Sequence, residues 1–116
     1  MVRKIEGPAR IPVPGGKLID EHIGRVSSGD DGISIAHMTA PPGWEEPPQR
    51  PQFVEYTVVL RGLVMVEHAE GTTEVAAGQS VVTSPGERVR YSAGPEGAEY
   101  IAVCLPAFSA ESAGRD

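Results

Sequence analysis

Glycine and proline punctuate this chain so densely that a helix has little room to grow. The 116 residues include 14 glycines and 11 prolines. Proline removes a backbone donor, and glycine raises the entropic cost of ordering the chain. Between them no stretch keeps a helical spacing of apolar residues, with sensible caps, for more than a turn or two. What remains is a series of short β-branched runs: "ISIAHMT", "FVEYTVVLRG", "LVMVEHA", "TTEVAA" and "AEYIAVCLPAF". Turn-forming residues separate them, with a hairpin at Glu70-Gly71 and a turn at Pro85-Gly86. This pattern predicts an all-β sandwich or barrel with a single core, as the length allows. Residues 1–17 read as an irregular arm with at most a short edge strand at Ile11 and Val13. Residues 18–108 form the barrel. Residues 109–116 are expected to be a frayed tail or a short helical turn. The run "FVEYTVVLRG" reads as a strand that stops at Gly62.

Charge narrows the partners. Ten basic residues against sixteen acidic ones leave −6 at neutral pH. Such a balance favours solubility and offers no broad basic face, so nucleic acid is not an expected partner. The single cysteine, Cys104, excludes a disulfide within the chain and a Cys-rich zinc site. No apolar run approaches the ~20 residues needed to span a bilayer, and the first residues lack the apolar core of a signal peptide. A cytoplasmic protein with no membrane partner is the expectation.

The stretch from Gly43 to Ala93 carries a family resemblance. Gly43 is followed by WEEPP, then Gln49-Arg50-Pro51, then QFV, Glu55, YTVVLR and Gly62. Further on, Gly78 and Gly86 hold a second register, with Ser84, Val89 and Ala93 between and after them. These spacings resemble the two motifs of the cupins, small jelly-roll barrels built as a double-stranded β-helix. The closing "CLPAFS" is similar, over a short span, to ethanolamine-utilisation-type cupins. The resemblance implies a metal centre of three histidines and a glutamate. Gln49, Pro51 and Val89 stand at the histidine places and only Glu55 is retained. Proline and valine have no donor atom, and an amide oxygen is a weak ligand for a transition metal. The expectation is therefore no cofactor, or at most a divalent transition metal at a relocated site of His37, Gln49 and Glu55.

Side chains alternate along a strand. If Glu55 faces the barrel, as the resemblance implies, Thr57 and Val59 face inward with it, while Tyr56, Val58 and Leu60 face out. Val89 and Tyr91 then share the inner face of a later strand. For the run 33–39 the more apolar face is Ile33, Ile35, His37 and Thr39, and the reading favours that face as the inner one. This gathers Glu55, His37 and Tyr91 as candidate catalytic groups. Gln49, Gln52, Trp44, Val59 and Val89 are the candidate ligand-binding residues. A carboxyl group buried among aliphatic side chains has a perturbed pKa and can act as a general acid or base. The functional expectation is a small-molecule-binding cupin that moves a proton with Glu55, as an isomerase or lyase does. The alternatives are a non-catalytic sensing cupin and a metal-dependent dioxygenase or isomerase. Each of these residues also has a plainer reading: Glu55 satisfied by backbone donors, His37 at the surface, Tyr91 anchoring its hydroxyl, Trp44 capping the barrel. The outward apolar residues need covering, so a homodimer is expected.

Overall fold

The computed structural model describes residues 1–114. Seven strands follow one another: β1 (Ala9–Ile11), β2 (Leu18–Ile23), β3 (Ser34–Ala40), β4 (Val54–His68), β5 (Gly71–Ala76), β6 (Ser80–Thr83) and β7 (Arg90–Leu105). Every pairing is antiparallel. The order is β1-β2-β3-β7-β4-β5, with β6 also on β4. The two long strands belong to both walls of a jelly-roll barrel. Residues 54–60 of β4 lie between β6 and the second half of β7, while residues 63–68 lie between β5 and the first half of β7.

The bend between these halves is built from glycine. The register of β4 against β7 shifts between Val59 and Arg61 and again between Gly62 and Val64. Gly62 sits at φ 78°. A β-carbon on it would stand 2.1 Å from the Gly97 carbonyl oxygen. The glycine that looked like the end of a strand is a bulge that lets the strand turn a corner and continue. The expectation that β4 stops at Gly62 is corrected accordingly, and β7 likewise runs unbroken through Gly94 and Gly97.

Val59, Val64, Val66, Val75 and Val89 pack with Trp44, Tyr91 and Tyr100 in the main core. A smaller cluster of Phe53, Cys104, Ala113 and Phe108 closes the other end. Each terminus takes one of the forms the sequence left open: a short edge strand in the arm, at Ala9–Ile11 rather than at Ile11 and Val13, and a helical turn in the tail, where Ala113 N donates to Ser109 O at 3.1 Å. The arm is part of the sheet, since Ala9, Arg10 and Ile11 pair with Glu21, Asp20 and Ile19. Residues 109–114 are not frayed: Arg50 N donates to Gly114 O at 2.7 Å, Gln52 N donates to Ser112 O at 2.8 Å, and Ala113 is fully buried. The last two residues of the expected tail lie outside the described residues. Among the described residues no helix is long and apolar enough to cross a membrane.

Candidate functional site

Alternation along β4 carries Glu55, Thr57 and Val59 inside the barrel and leaves Tyr56, Val58 and Leu60 exposed. Glu55 lines a cavity of about 50 Å³ together with Lys17, Glu46, Gln49, Tyr91 and Tyr100. That volume has room for a few water molecules and is far below the several hundred Å³ of an ordinary small-molecule site. Burial pushes the Glu55 carboxyl up to about 7, Glu46 adds to the effect, and Lys17 and a hydrogen bond from Tyr91 oppose it. The Tyr91 hydroxyl also meets Thr83 Oγ1 at 3.0 Å. Burial and the nearby Glu55 raise the Tyr91 phenol. Burial likewise holds the Cys104 thiol well above its usual range, so it is an inert cavity wall rather than a nucleophile.

Three charged residues that the sequence reading does not place at the site complete the interior; from the sequence Glu46 reads only as a loop acid, able to bind a cation or left in solvent. Lys17 Nζ lies 3.9 Å from Glu46 Oε2 and 4.3 Å from the centre of the Trp44 ring. This geometry lets an ammonium be desolvated at low cost. Gln49 Nε2 donates to Glu46 Oε1 at 3.2 Å. Glu21 is 1 % exposed, and its Oε2 accepts hydrogen bonds from Val26 N and Ser27 N, both at 2.9 Å. The only sequence signal for this set is the alternation Lys17, Ile19, Glu21, which puts all three on one face of β2 and its approach.

Of the residues expected at the site, Glu55, Tyr91 and Gln49 converge and the others do not. Trp44 lies under Lys17 in the core and does not line the Glu55 cavity, although its edge borders a separate open cleft of about 190 Å³ with Val13, Pro14 and Pro47. Val59 and Val89 are core packing and do not line the cavity. Gln52 is exposed, its backbone holding the C-terminal turn. His37 points to the outer face, where its Nε2 meets Glu99 Oε2 at 2.8 Å. The favoured parity of this strand is thus reversed, and Ser34, Ala36 and Met38 face inward. The strand is apolar on both faces, so alternation could not choose between them. Ser34, Ala36 and Met38 share the cavity wall with Glu21, Glu55, Tyr91 and Tyr100.

A second concavity lies outside the barrel end. Arg50, His68, Arg88 and Arg90 line an open groove of about 560 Å³ together with Glu67. Arg90 is fixed by ion pairs to Glu67 and to Glu45, and Arg50 Nη1 donates to Gly86 O at 3.1 Å.

No family model matches the sequence. Among solved structures, a variant of oxalate decarboxylase from Bacillus subtilis superposes with a TM-score of 0.77 at 19 % identity over 96 % of this chain and 31 % of that one. An RmlC-like cupin from Shewanella frigidimarina gives 0.73 at 16 % identity, over 86 % of this chain and 85 % of its own. The chain has the cupin fold. An ethanolamine utilization protein Q from Salmonella typhimurium is also similar, with a TM-score of 0.67, 18 % identity, and 79 % and 71 % of the two chains covered.

The interior of this cupin-fold barrel does not fit the metal centre that the family resemblance implied. Among the described residues no three His, Cys, Asp or Glu side chains come together to hold an ion. His37 lies on the opposite side of its strand from Glu55, so the relocated set of His37, Gln49 and Glu55 cannot form. A lysine ammonium, not a ring of imidazoles, accompanies the carboxylates.

The sequence relative changes the functional reading. The chain is 43 % identical over 105 residues to a Myxococcus xanthus protein named endoribonuclease YbeY, a match that covers 89 % of this chain. It spans only 35 % of that relative's length. This name overturns the expectation of a small-molecule-binding cupin, whether a proton-transfer enzyme, a sensor or a metal-dependent dioxygenase or isomerase. The narrow cavity agrees with the correction.

Proposed function

We propose that this chain is an accessory module of an endoribonuclease, one that touches RNA without cutting it. The kinship with about a third of a protein named for RNA cleavage supports the association. The observation that carries the accessory role is the narrow interior. A cavity of about 50 Å³ walled by Glu46 and Glu55 admits neither a ribose nor a phosphodiester, and its carboxylates oppose a polyanion. RNA contact falls instead to the external groove. There Arg50, His68 and Arg88 share one open space with Arg90, whose charge is paired by Glu67 and Glu45, on a chain that is otherwise acidic. Guanidinium groups suit phosphate because they offer paired donors in a plane. The ion pairs of Arg90 to Glu67 and Glu45 hold that side of the groove in place.

The test uses the isolated chain and a fluorescently labelled single-stranded RNA. Anisotropy is expected to rise at about 50 mM salt, with log K falling against log salt at a slope of about 2 for the two or three phosphates such a groove can engage. Arg50→Ala with Arg88→Ala is expected to bring that slope below about 1, and the RNA is expected to stay intact on a denaturing gel. Binding that is absent at low salt, or indifferent to the double substitution, would remove the groove from the proposal. Cleavage by the isolated chain would remove the accessory role.

A further inference from the structure

The charges of the external groove are set out by strand register. Gln49 and Val89 form an antiparallel bridge, each N–H donating to the other's carbonyl at 2.9 Å. Both side chains are buried. Alternation therefore turns their neighbours Arg50 and Arg88 outward at facing positions, and both are exposed. Facing β-carbons of an antiparallel pair stand about 5 Å apart, so two guanidinium groups open into one space. Two residues further along, Arg90 faces Glu67 across the β4–β7 ladder and is ion-paired to it and to Glu45. One cation between two carboxylates leaves that side net negative. His68 adds no charge: its Nδ1 accepts from Glu70 N at 3.3 Å and its Nε2 meets Thr73 Oγ1 at 2.9 Å. That is the arrangement of a neutral ring carrying its proton on Nε2.

We propose that Arg50 and Arg88 form a seat for the terminal phosphomonoester of an RNA strand. The inference rests on the RNA reading of the groove and narrows its ligand to one end of the strand. A phosphodiester within a chain carries a single charge. A terminal monoester carries about −1.5 to −2 at neutral pH and offers three free oxygens. Two facing guanidinium groups match the second better, because each planar fork donates twice and three oxygens can receive both forks. The carboxylates beside Arg90 add direction. A strand running straight through would carry its next phosphate toward Glu67 and Glu45, whereas a strand that ends at Arg50 and Arg88 leaves by the open side and avoids them. Pro48 and Ala69, on the uncharged part of the lining, give the terminal nucleotide an apolar surface to lie on. Hydrolysis of a phosphodiester breaks one P–O bond and leaves a phosphomonoester on one fragment and a hydroxyl on the other. The seat therefore suits an accessory module that meets RNA after it is cut.

The test compares three forms of one short single-stranded RNA labelled internally: 5′-phosphorylated, 3′-phosphorylated, and hydroxyl at both ends. Anisotropy at low salt is expected to show a phosphorylated form binding at least about tenfold more tightly than the hydroxyl form. Arg50→Ala and, separately, Arg88→Ala are expected to bring that ratio below about 3. Arg61→Ala, outside the groove, is expected to keep it. Thermal unfolding verifies that the variants fold. Equal binding of all three forms by the wild-type chain would overturn the seat while leaving RNA contact standing; no binding of any form would remove both. Full preference in the two arginine variants would also overturn the seat. Inorganic phosphate or a phosphoserine peptide that displaces the RNA at the RNA's own concentration would give the seat to that ligand and overturn its assignment to an RNA end.

Discussion

Glu55→Gln should make this protein more stable, and only at the right pH. In the folded chain burial raises the Glu55 carboxyl from 4.5 to about 7. A raised acid binds its proton more tightly in the native state than in the unfolded one, so between those two values the native state holds more protons. Stability then falls as pH rises. The contribution is intact below about 4.5, erodes through the interval, and is lost above about 7. The worked cost is about 3 kcal/mol once the group is ionised in both states. Glutamine keeps the shape and a hydrogen-bonding partner for Tyr91 but has no proton to lose. The variant should match the wild type near pH 5, within about 1 kcal/mol, and exceed it by about 2–3 kcal/mol at pH 8.5. That difference is equivalent to a melting-temperature gap on the order of 10 °C. Urea unfolding followed by the fluorescence of Trp44, the single tryptophan and a buried one, gives both stabilities. Every other titrating group is common to the two proteins, so the difference between the curves isolates Glu55. If the two midpoints move in parallel from pH 5 to pH 8.5, the carboxyl is not held near neutrality by the fold and the reasoning fails.

Two further outcomes follow from the same structure. Lys17→Met should destabilise the chain by about 3 kcal/mol at pH 8.5, because Glu46 loses its buried cation, and by less at pH 5, where Glu55 is neutral; urea midpoints at the two values test the difference. Gly62→Ala should cost at least about 3 kcal/mol or abolish soluble expression, since the added carbon meets the Gly97 carbonyl at a positive φ; an unchanged urea midpoint would contradict the bulge geometry.

Glycine and proline spacing, with the alternating runs between them, was enough to read an all-β barrel, because those signals are local. Local signals also misled. A glycine in a bulge and a glycine in a turn are the same letter, so β4 and β7 were each read as two strands. What distinguishes Gly62 is the backbone of Gly97, thirty-five residues away and touching it. The strand 34–40 is apolar on both faces, so alternation alone could not show that His37 faces out to pair with Glu99. The site was half legible. Glu55 and Tyr91 lie on alternating strands whose parity can be followed, whereas Lys17 and Glu46 meet across the barrel from an arm and a loop. No pattern within either segment announces that pairing. The groove was half legible too: alternation in "GERVRYS" puts Arg88 and Arg90 on one face, able to hold a phosphate or to form surface ion pairs, whereas Arg50 and His68 join them from other segments and a net charge says nothing about where cations gather.

Because β4 and β7 each run through both walls, the barrel offers no seam along which it can come apart. Loosening one wall pulls on the same two backbones that hold the other. Amide protons along these strands should therefore exchange together, only when the whole molecule opens. A cut at Gly62 should leave two fragments that cannot fold separately, while a nick at the exposed Glu70-Gly71 hairpin should be survivable.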